Sequence, residues 1–362
     1  MLTTDFDYNL PSELIADSPP AERGTTRLMV LDKNSSKLSH KNYSDIPDYI
    51  EVGDVVVLNR TLVQKARLYM ENSSNGKRVE VLFLNRVNLN EQGNEKWFAL
   101  IGRAKNVQAG DLLRVVDASE ALLKVLSRGE SGEGFLVEIL DISAEQLFSK
   151  YGNVPLPAYI KREATAEDEI RYNTVFGSEP GSVAAPTASL NLTDELIDQI
   201  KARGAEVVFV ELDIGWGTFA PVRTEKIEDF QIHTERYHLS EETAAAVNKA
   251  ISSGKNVWAF GTTATRVLES CAYLRVRNED AGLDGVRYLV KASSGETNIY
   301  IYPGYEWKIV NRLVTNFHAP KSSLIMLVAS FAGYDLTMRA YQEAIDQEYK
   351  FLSYGDSMLI LG

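Results

Sequence analysis

A single cysteine, Cys271, stands in the 362 residues, so no intramolecular disulfide framework can form. Histidine is nearly as scarce. His40, His233, His238 and His318 are the whole supply, and none is spaced with cysteine or a second histidine as a zinc site requires. There is no Gly-x-Ser-x-Gly and no Walker sequence, which removes the commonest hydrolase and phosphate-loop readings. The longest apolar run, near Leu324 to Ala332, is broken by Ser330 and falls well short of the ~20 residues a membrane helix needs. No membrane role is expected. The start, MLTTDFDYNL, lacks the basic residues and apolar stretch of a signal peptide, so the cytoplasm is the expected compartment. Net positive charge is also missing. At -12 the chain does not grip nucleic acid over its whole surface, because phosphate binding needs clustered Lys and Arg.

What is present describes an ordered globule, 44% apolar and 24% charged, too long for one small core. Charge is uneven. Leu62 to Val115 holds nine basic residues against five acidic, a local +4 that leaves -16 on the rest. Such a segment is either a solvated face or an RNA-facing patch. Its texture is short β-type runs (ARLYM, KRVEVLFLNRV, KWFALIGRA, GFLVEILD) between Gly, Asn and Ser turns, which predicts a small antiparallel barrel. Beyond GNVPLPAYI the pattern alternates helix and strand. Thr193 can cap a helix with Leu196, Ile197 and Ile200 on one face, stopping at Gly204. A second helix opens near Ser240 and ends at Gly254, ahead of the strand KNVWAF. Alternation of this kind predicts a largely parallel sheet covered on both faces, joined from before the barrel by GDVVVLN. The expected organisation is a discontinuous α/β domain, residues 1–61 and 151–362, with a barrel domain inserted at 62–150.

Several segments have the makings of a site. In FGTTATR a strand ends at Gly261 and a helix opens, so free N–H groups join the hydroxyls of Thr262 and Thr263, with Arg266 one turn on. GWGTFAPV contributes Gly215, Gly217 and Thr218 after another strand, yet lacks the third glycine and following helix of a dinucleotide fingerprint. VAAPTASLNL with Thr187, YIYPGYEW with Tyr302 and Tyr305, TNFHAPKSSL and YGDSM with Asp356 are loop-like runs of small, hydroxyl and aromatic residues. The tyrosines can stack on a base or face a cation, or simply pack in a sheet. His318, and His233 two residues before Glu235, can act as acids or bases near neutral pH, or be structural.

Taken in order, DFDYNLPSELIADSP, GDVVVLN, PLPAYI, RYNTVF with VAAPTA, GWGTFAPV, GTTATRVLES, YIYPGYEWKIV, VTNFHAPKSSLIMLV and FLSYGDSM resemble the motif series of the S-adenosylmethionine:tRNA ribosyltransferase-isomerase family of queuosine biosynthesis, from about Asp5 to Met358. The resemblance implies an α/β domain interrupted by a barrel and a reaction with two substrates. S-adenosylmethionine, a co-substrate and not a cofactor, donates its ribosyl part to the aminomethyl group of a 7-deazaguanine at the wobble position of a tRNA anticodon loop. Isomerisation of the sugar gives epoxyqueuosine, with release of adenine and methionine. No metal is implied, and a monomer is expected. On this reading His318, His233, Glu235 and Asp356 are the catalytic candidates. Thr187, Gly215, Gly217, Thr218, Gly261, Thr262, Thr263, Arg266, Tyr302 and Tyr305 are the binding candidates.

The chain departs from the family pattern where Asn191, Asp213 and Phe230 replace histidines, Trp216 fills a small position and Leu62 replaces an arginine. These departures keep two alternatives open: a relative that uses S-adenosylmethionine with another acceptor, and a non-catalytic nucleotide- or RNA-binding relative.

Overall fold

The computed structural model describes residues 1–89, 93–116, 118, 122–129, 133–215, 221–275 and 287–362. The chain begins with β1 (Arg27–Asp32), β2 (Lys37–Asn42), β3 (Val55–Asn59) and the short β4 (Thr61–Val63), then leaves for a barrel. The barrel strands are β5 (Arg67–Asn72), β6 (Lys77–Leu89), β7 (Glu95–Ile101), β8 (Leu112–Val115), β9 (Leu122–Arg128) and β10 (Phe135–Leu140). They close in the order β10-β7-β6-β5-β8-β9, every pair antiparallel. Alternation fills the inside with Leu68, Met70, Val81, Phe83, Ala99 and Val137. The helix α1 (Ala144–Tyr151), capped by Ser143, adds Phe148 to this core, edge-on to Phe83 at 5.1 Å and to Trp97 at 5.4 Å.

The chain returns through α2 (Ala166–Arg171), β11 (Glu179–Ser182), which pairs with β4, and α3 (Asp194–Ala202). Thr193 caps α3 as its sequence predicts, its hydroxyl accepting the Leu196 N–H at 3.2 Å, with Leu196, Ile197 and Ile200 buried. There follow β12 (Glu206–Leu212), β13 (Glu235–Leu239), α4 (Glu241–Ser252), β14 (Val257–Phe260) and α5 (Gly261–Ser270). Then come the paired β15 (Ala272–Arg275) and β16 (Arg287–Val290), β17 (Ser293–Thr297), β18 (Arg312–Asn316), α6 (Ser323–Ala332), α7 (Tyr334–Asp346) and β19 (Ser357–Leu361).

Nine of these strands form one sheet in the order β17-β13-β12-β3-β14-β18-β19-β1-β2. In β3 the period of two sends Val55 and Val57 into the core on one face and Val56 and Leu58 into the core on the other. β14 does the same with Val257 and Ala259 against Trp258 and Phe260. At about 1.5–3 kcal/mol for each buried aliphatic or aromatic side chain, the doubly covered centre anchors the domain.

The expectation of a largely parallel sheet needs correction. β12, β3, β14 and β18 are parallel, as are β19 and β1, but β17-β13-β12, β18-β19 and β1-β2 are antiparallel. For β18 and β19 the reason is countable along the chain. One helix between two strands returns the chain to its starting edge and yields a parallel neighbour, whereas β18 and β19 are joined by two, α6 and α7, which reverses the direction.

Candidate active site

The four central parallel strands place their carboxyl ends together, where an open α/β sheet binds its ligands. The rim is tied by side chains. Asn59, at the end of β3, donates to the Leu212 carbonyl at 3.1 Å and accepts the Leu212 N–H at 3.2 Å, which locks β3 to β12. Ser182 accepts the Ile214 N–H at 3.0 Å and donates to the Ala184 carbonyl at 2.6 Å, bending the 183–188 loop over the strand ends. Tyr43 secures the far end of that loop, donating to the Ala188 carbonyl at 2.7 Å.

Beneath the loop is a first chamber lined by Thr187, Gly261, Thr262, Thr263, Thr315 and His318. Gly261 has φ +92°, a conformation that disfavours a side chain, and its missing Cβ would lie 3.4 Å from Ala188. The His318 ring shares a 2.8 Å hydrogen bond with the Thr315 hydroxyl. Its backbone N–H donates to Tyr341 Oη at 3.0 Å and its carbonyl accepts from Tyr8. Burial drives the imidazole down to about 3, so it is neutral across the physiological range. The surroundings therefore suit a ring that orients Thr315, in place of the base near neutral pH that the sequence suggests.

A second chamber, of about 850 Å³ including its mouth, lies between the strand ends and the outside of the barrel. Gly215, Asp213, His233 and Glu235 line one side; Leu84, Asn85 and Phe98 of β6 and β7 line the other. Ile214 walls both chambers, so they adjoin. Glu235 is buried; its Oε1 accepts the Gly215 N–H at 2.9 Å, and its Oε2 accepts from Arg266 Nη1. Asp213 packs against Gly181, whose Cβ would come within 2.6 Å of Oδ1. Burial raises the Asp213 carboxyl, Arg236 pulls it back, and the negative Glu211 and Glu235 add to the rise. His233 is exposed at this mouth.

Besides Arg266, which meets the second chamber only through Glu235, three expected residues lie outside these chambers. Asp356 is a backbone clamp, Oδ1 accepting the Arg27 N–H and Oδ2 the Lys350 N–H, each at 2.7 Å. Tyr305 donates to Glu269 at 3.0 Å, toward the opposite end of α5 from Gly261. Tyr302 packs on Tyr300 with ring centroids 4.9 Å apart and lines neither chamber. Gly217, Thr218 and Trp216 lie outside the described residues. Among the other departures, Asn191 is buried, Phe230 sits edge-on to Tyr300 at 5.3 Å, and Leu62 packs where a Cβ on Gly177 would meet it at 2.5 Å.

Sequence reasoning missed Thr315 and the barrel wall. A signal for the wall exists. VEVLFLN and KWFALI carry apolar residues at consecutive positions, so apolar side chains stand on both faces of β6 and β7; beyond the barrel core, Leu84 and Phe98 line this cleft and Leu82 and Leu100 a neighbouring hollow. Of the basic residues in this region, Lys65, Arg67, Arg86 and Arg114 pair with Glu169, Glu80, Glu95 and Glu71. Arg78, Lys96, Arg103 and Lys105 have no ion pair among the described residues. Also among the described residues, no helix is long and apolar enough to cross a membrane, and no group of three or more His, Cys, Asp or Glu is placed to hold a metal.

Fold and site define a mixed α/β protein with a cleft at the carboxyl ends of the central strands, walled on one side by a closed barrel. Residues 3–360 match the family model described as queuosine biosynthesis protein, and the chain belongs to that family. It is 44% identical over 360 residues to the S-adenosylmethionine:tRNA ribosyltransferase-isomerase of Chlorobaculum parvum (strain DSM 263 / NCIMB 8327), covering 99% of this chain and all of the relative. The crystal structure of the S-adenosylmethionine tRNA ribosyltransferase of Thermotoga maritima is similar as well, with a TM-score of 0.52 and 31% identity over 99% of this chain and all of that one.

Proposed function

We propose that the adjoining chambers form one active site in which this chain acts as an S-adenosylmethionine:tRNA ribosyltransferase-isomerase of queuosine biosynthesis. The observation that carries the assignment is the convergence of the 183–188, 213–215, 261–263 and 315–318 segments at the strand ends, beside a barrel wall formed by Leu84, Asn85 and Phe98. The sulfonium makes the adjoining C5′ protons acidic and makes methionine a good leaving group, so the reaction asks the protein for a base, an oriented amine and a place for departing adenine. No further cofactor is called for.

The inner chamber, with its hydroxyls and neutral imidazole, suits the nucleoside. The outer one, against the barrel, suits the aminomethyl-deazaguanine of a tRNA anticodon loop. Asp213 and His233 are the groups here that can exchange a proton with that amine. Glu235, which holds Gly215 and Arg266, is better suited to positioning. Epoxyqueuosine is the product this chemistry predicts, and the cytoplasm is where such a substrate is met.

The test is incubation with S-adenosylmethionine and tRNA bearing the aminomethyl precursor. Equal amounts of adenine and methionine, dependent on that tRNA, are expected; no release above background overturns the reading. Release that needs some other amine in place of tRNA would move the acceptor and keep the donor.

A further inference from the structure

Arg266 is 4% exposed, and its five N–H donors are unequally used. Among the described residues, Nη1 donates to Glu235, while Nε and Nη2 have no hydrogen-bond partner. Those two atoms form one edge of the guanidinium, the edge whose parallel N–H bonds match a planar group with two acceptor oxygens. One helical turn earlier on α5, at the i, i+3 spacing that puts side chains on one face, the hydroxyl of Thr263 is also buried and unpartnered. Both residues line a narrow crevice opening beside the first chamber, with Ile232, Tyr300 and Leu324 as apolar walls. Around it the first turn of α5 has no side-chain cap, so its N–H groups add to the surplus of donors. Buried donors left unpaired among apolar walls are costly, and three in one crevice call for a partner that arrives with the ligand.

We propose that this crevice binds the α-carboxylate of the amino-acid end of S-adenosylmethionine, the Nε/Nη2 edge of Arg266 taking both oxygens and the Thr263 hydroxyl donating to one of them. The assignment rests on the reading of the cleft as a site for that nucleoside. The other parts of the two substrates fit the crevice poorly. Adenine offers an acceptor beside a donor on its N7/N6 edge, which a two-donor fork does not match. A 7-deazaguanine has lost N7 and keeps O6 alone on that edge. The sulfonium and the ammonium are cations that the guanidinium repels. Glu235 then has a definite part: by holding Nη1 it turns the free edge toward the crevice.

The experiment is calorimetric titration of the full chain with S-adenosylmethionine and with its decarboxylated analogue, which keeps the sulfonium, ribose and adenine. The wild type is expected to bind the carboxylated form roughly 10- to 100-fold more tightly, the range of a charge-assisted pair. In Arg266→Lys, which keeps a cation for Glu235 but has no planar fork, that gap is expected to shrink to within about 3-fold with the analogue's own affinity unchanged. Thr263→Val should narrow the gap by a smaller factor. Equal binding of both nucleosides by the wild type overturns the carboxylate site and leaves the reading of the cleft standing; so does an Arg266→Lys variant that weakens both alike. If the folded chain binds neither, the cleft itself has been misread and the assignment falls with it.

Discussion

The two ends of α5 carry buried polar side chains in opposite states. Near its carboxyl end Glu269 is saturated: Oε1 accepts the N–H groups of Ile309 and Val310, each at 3.0 Å, and Oε2 accepts Tyr305 at 3.0 Å and the Lys308 N–H at 3.1 Å. In its amino-terminal half and middle, among the described residues, the Thr263 hydroxyl has no hydrogen-bond partner and Arg266 has one, Glu235. Both ends are equally dry. A saturated buried group closes a structural account, holding the 300–310 loop to the helix; an unsaturated one keeps donors open to a further partner.

The sharpest way to break this contrast is to exchange what each end tolerates. Glu269→Leu leaves four donors unmet and should cost on the order of 3–5 kcal/mol of stability, read as a lowered midpoint in denaturant unfolding. An unchanged midpoint would mean the saturated end is not structural. Arg266→Lys should do the reverse. Its stability should move by about 1 kcal/mol or less, while kcat/KM falls about 100-fold, close to 2.7 kcal/mol of transition-state binding.

How much of this was legible in the sequence depends on how local the cause is. The α3 and α4 boundaries follow from Thr193 and Ser240 as caps, and the barrel from turn-punctuated short runs, because both causes sit within a few residues. The Gly261-Thr262-Thr263 junction was legible for the same reason. The pairing of Arg266 with Glu235, 31 residues apart, was not, since it depends on β13 and α5 meeting across the sheet. Asp356 and Tyr305 misled because a polar residue in a glycine-bearing loop looks alike whether it faces a ligand or caps backbone N–H groups. Direction in the sheet does not follow from helix and strand alternation alone: two helices, not one, separate β18 from β19, and none separates β1 from β2.

His318 extends the contrast to pH. Its folded value, about 3, lies below the ordinary value of 6.5, so the unfolded chain takes up a proton that the folded chain refuses. The sign is destabilising on acidification. Nothing is lost above pH 6.5, and about 1.4 kcal/mol per pH unit is lost below it until the folded value is reached. His318→Gln should flatten that part of the unfolding midpoint against pH; an unchanged slope would show that the imidazole is not held neutral.

The smallest effect should fall on Thr263→Val. Removing an orphan hydroxyl while keeping the branched shape should leave stability unchanged or raise it by about 0.5 kcal/mol, yet weaken S-adenosylmethionine binding a few-fold. A clear loss of stability would mean that the hydroxyl already has a partner in the folded chain.

The most direct measurement is a crystal structure of the chain with S-adenosylmethionine bound. The nucleoside is expected at the strand ends beneath the 183–188 loop, with both carboxylate oxygens about 2.7–2.9 Å from Nε and Nη2 of Arg266. A nucleoside bound elsewhere, or one whose carboxylate points to solvent while the Arg266 edge faces water, would contradict it.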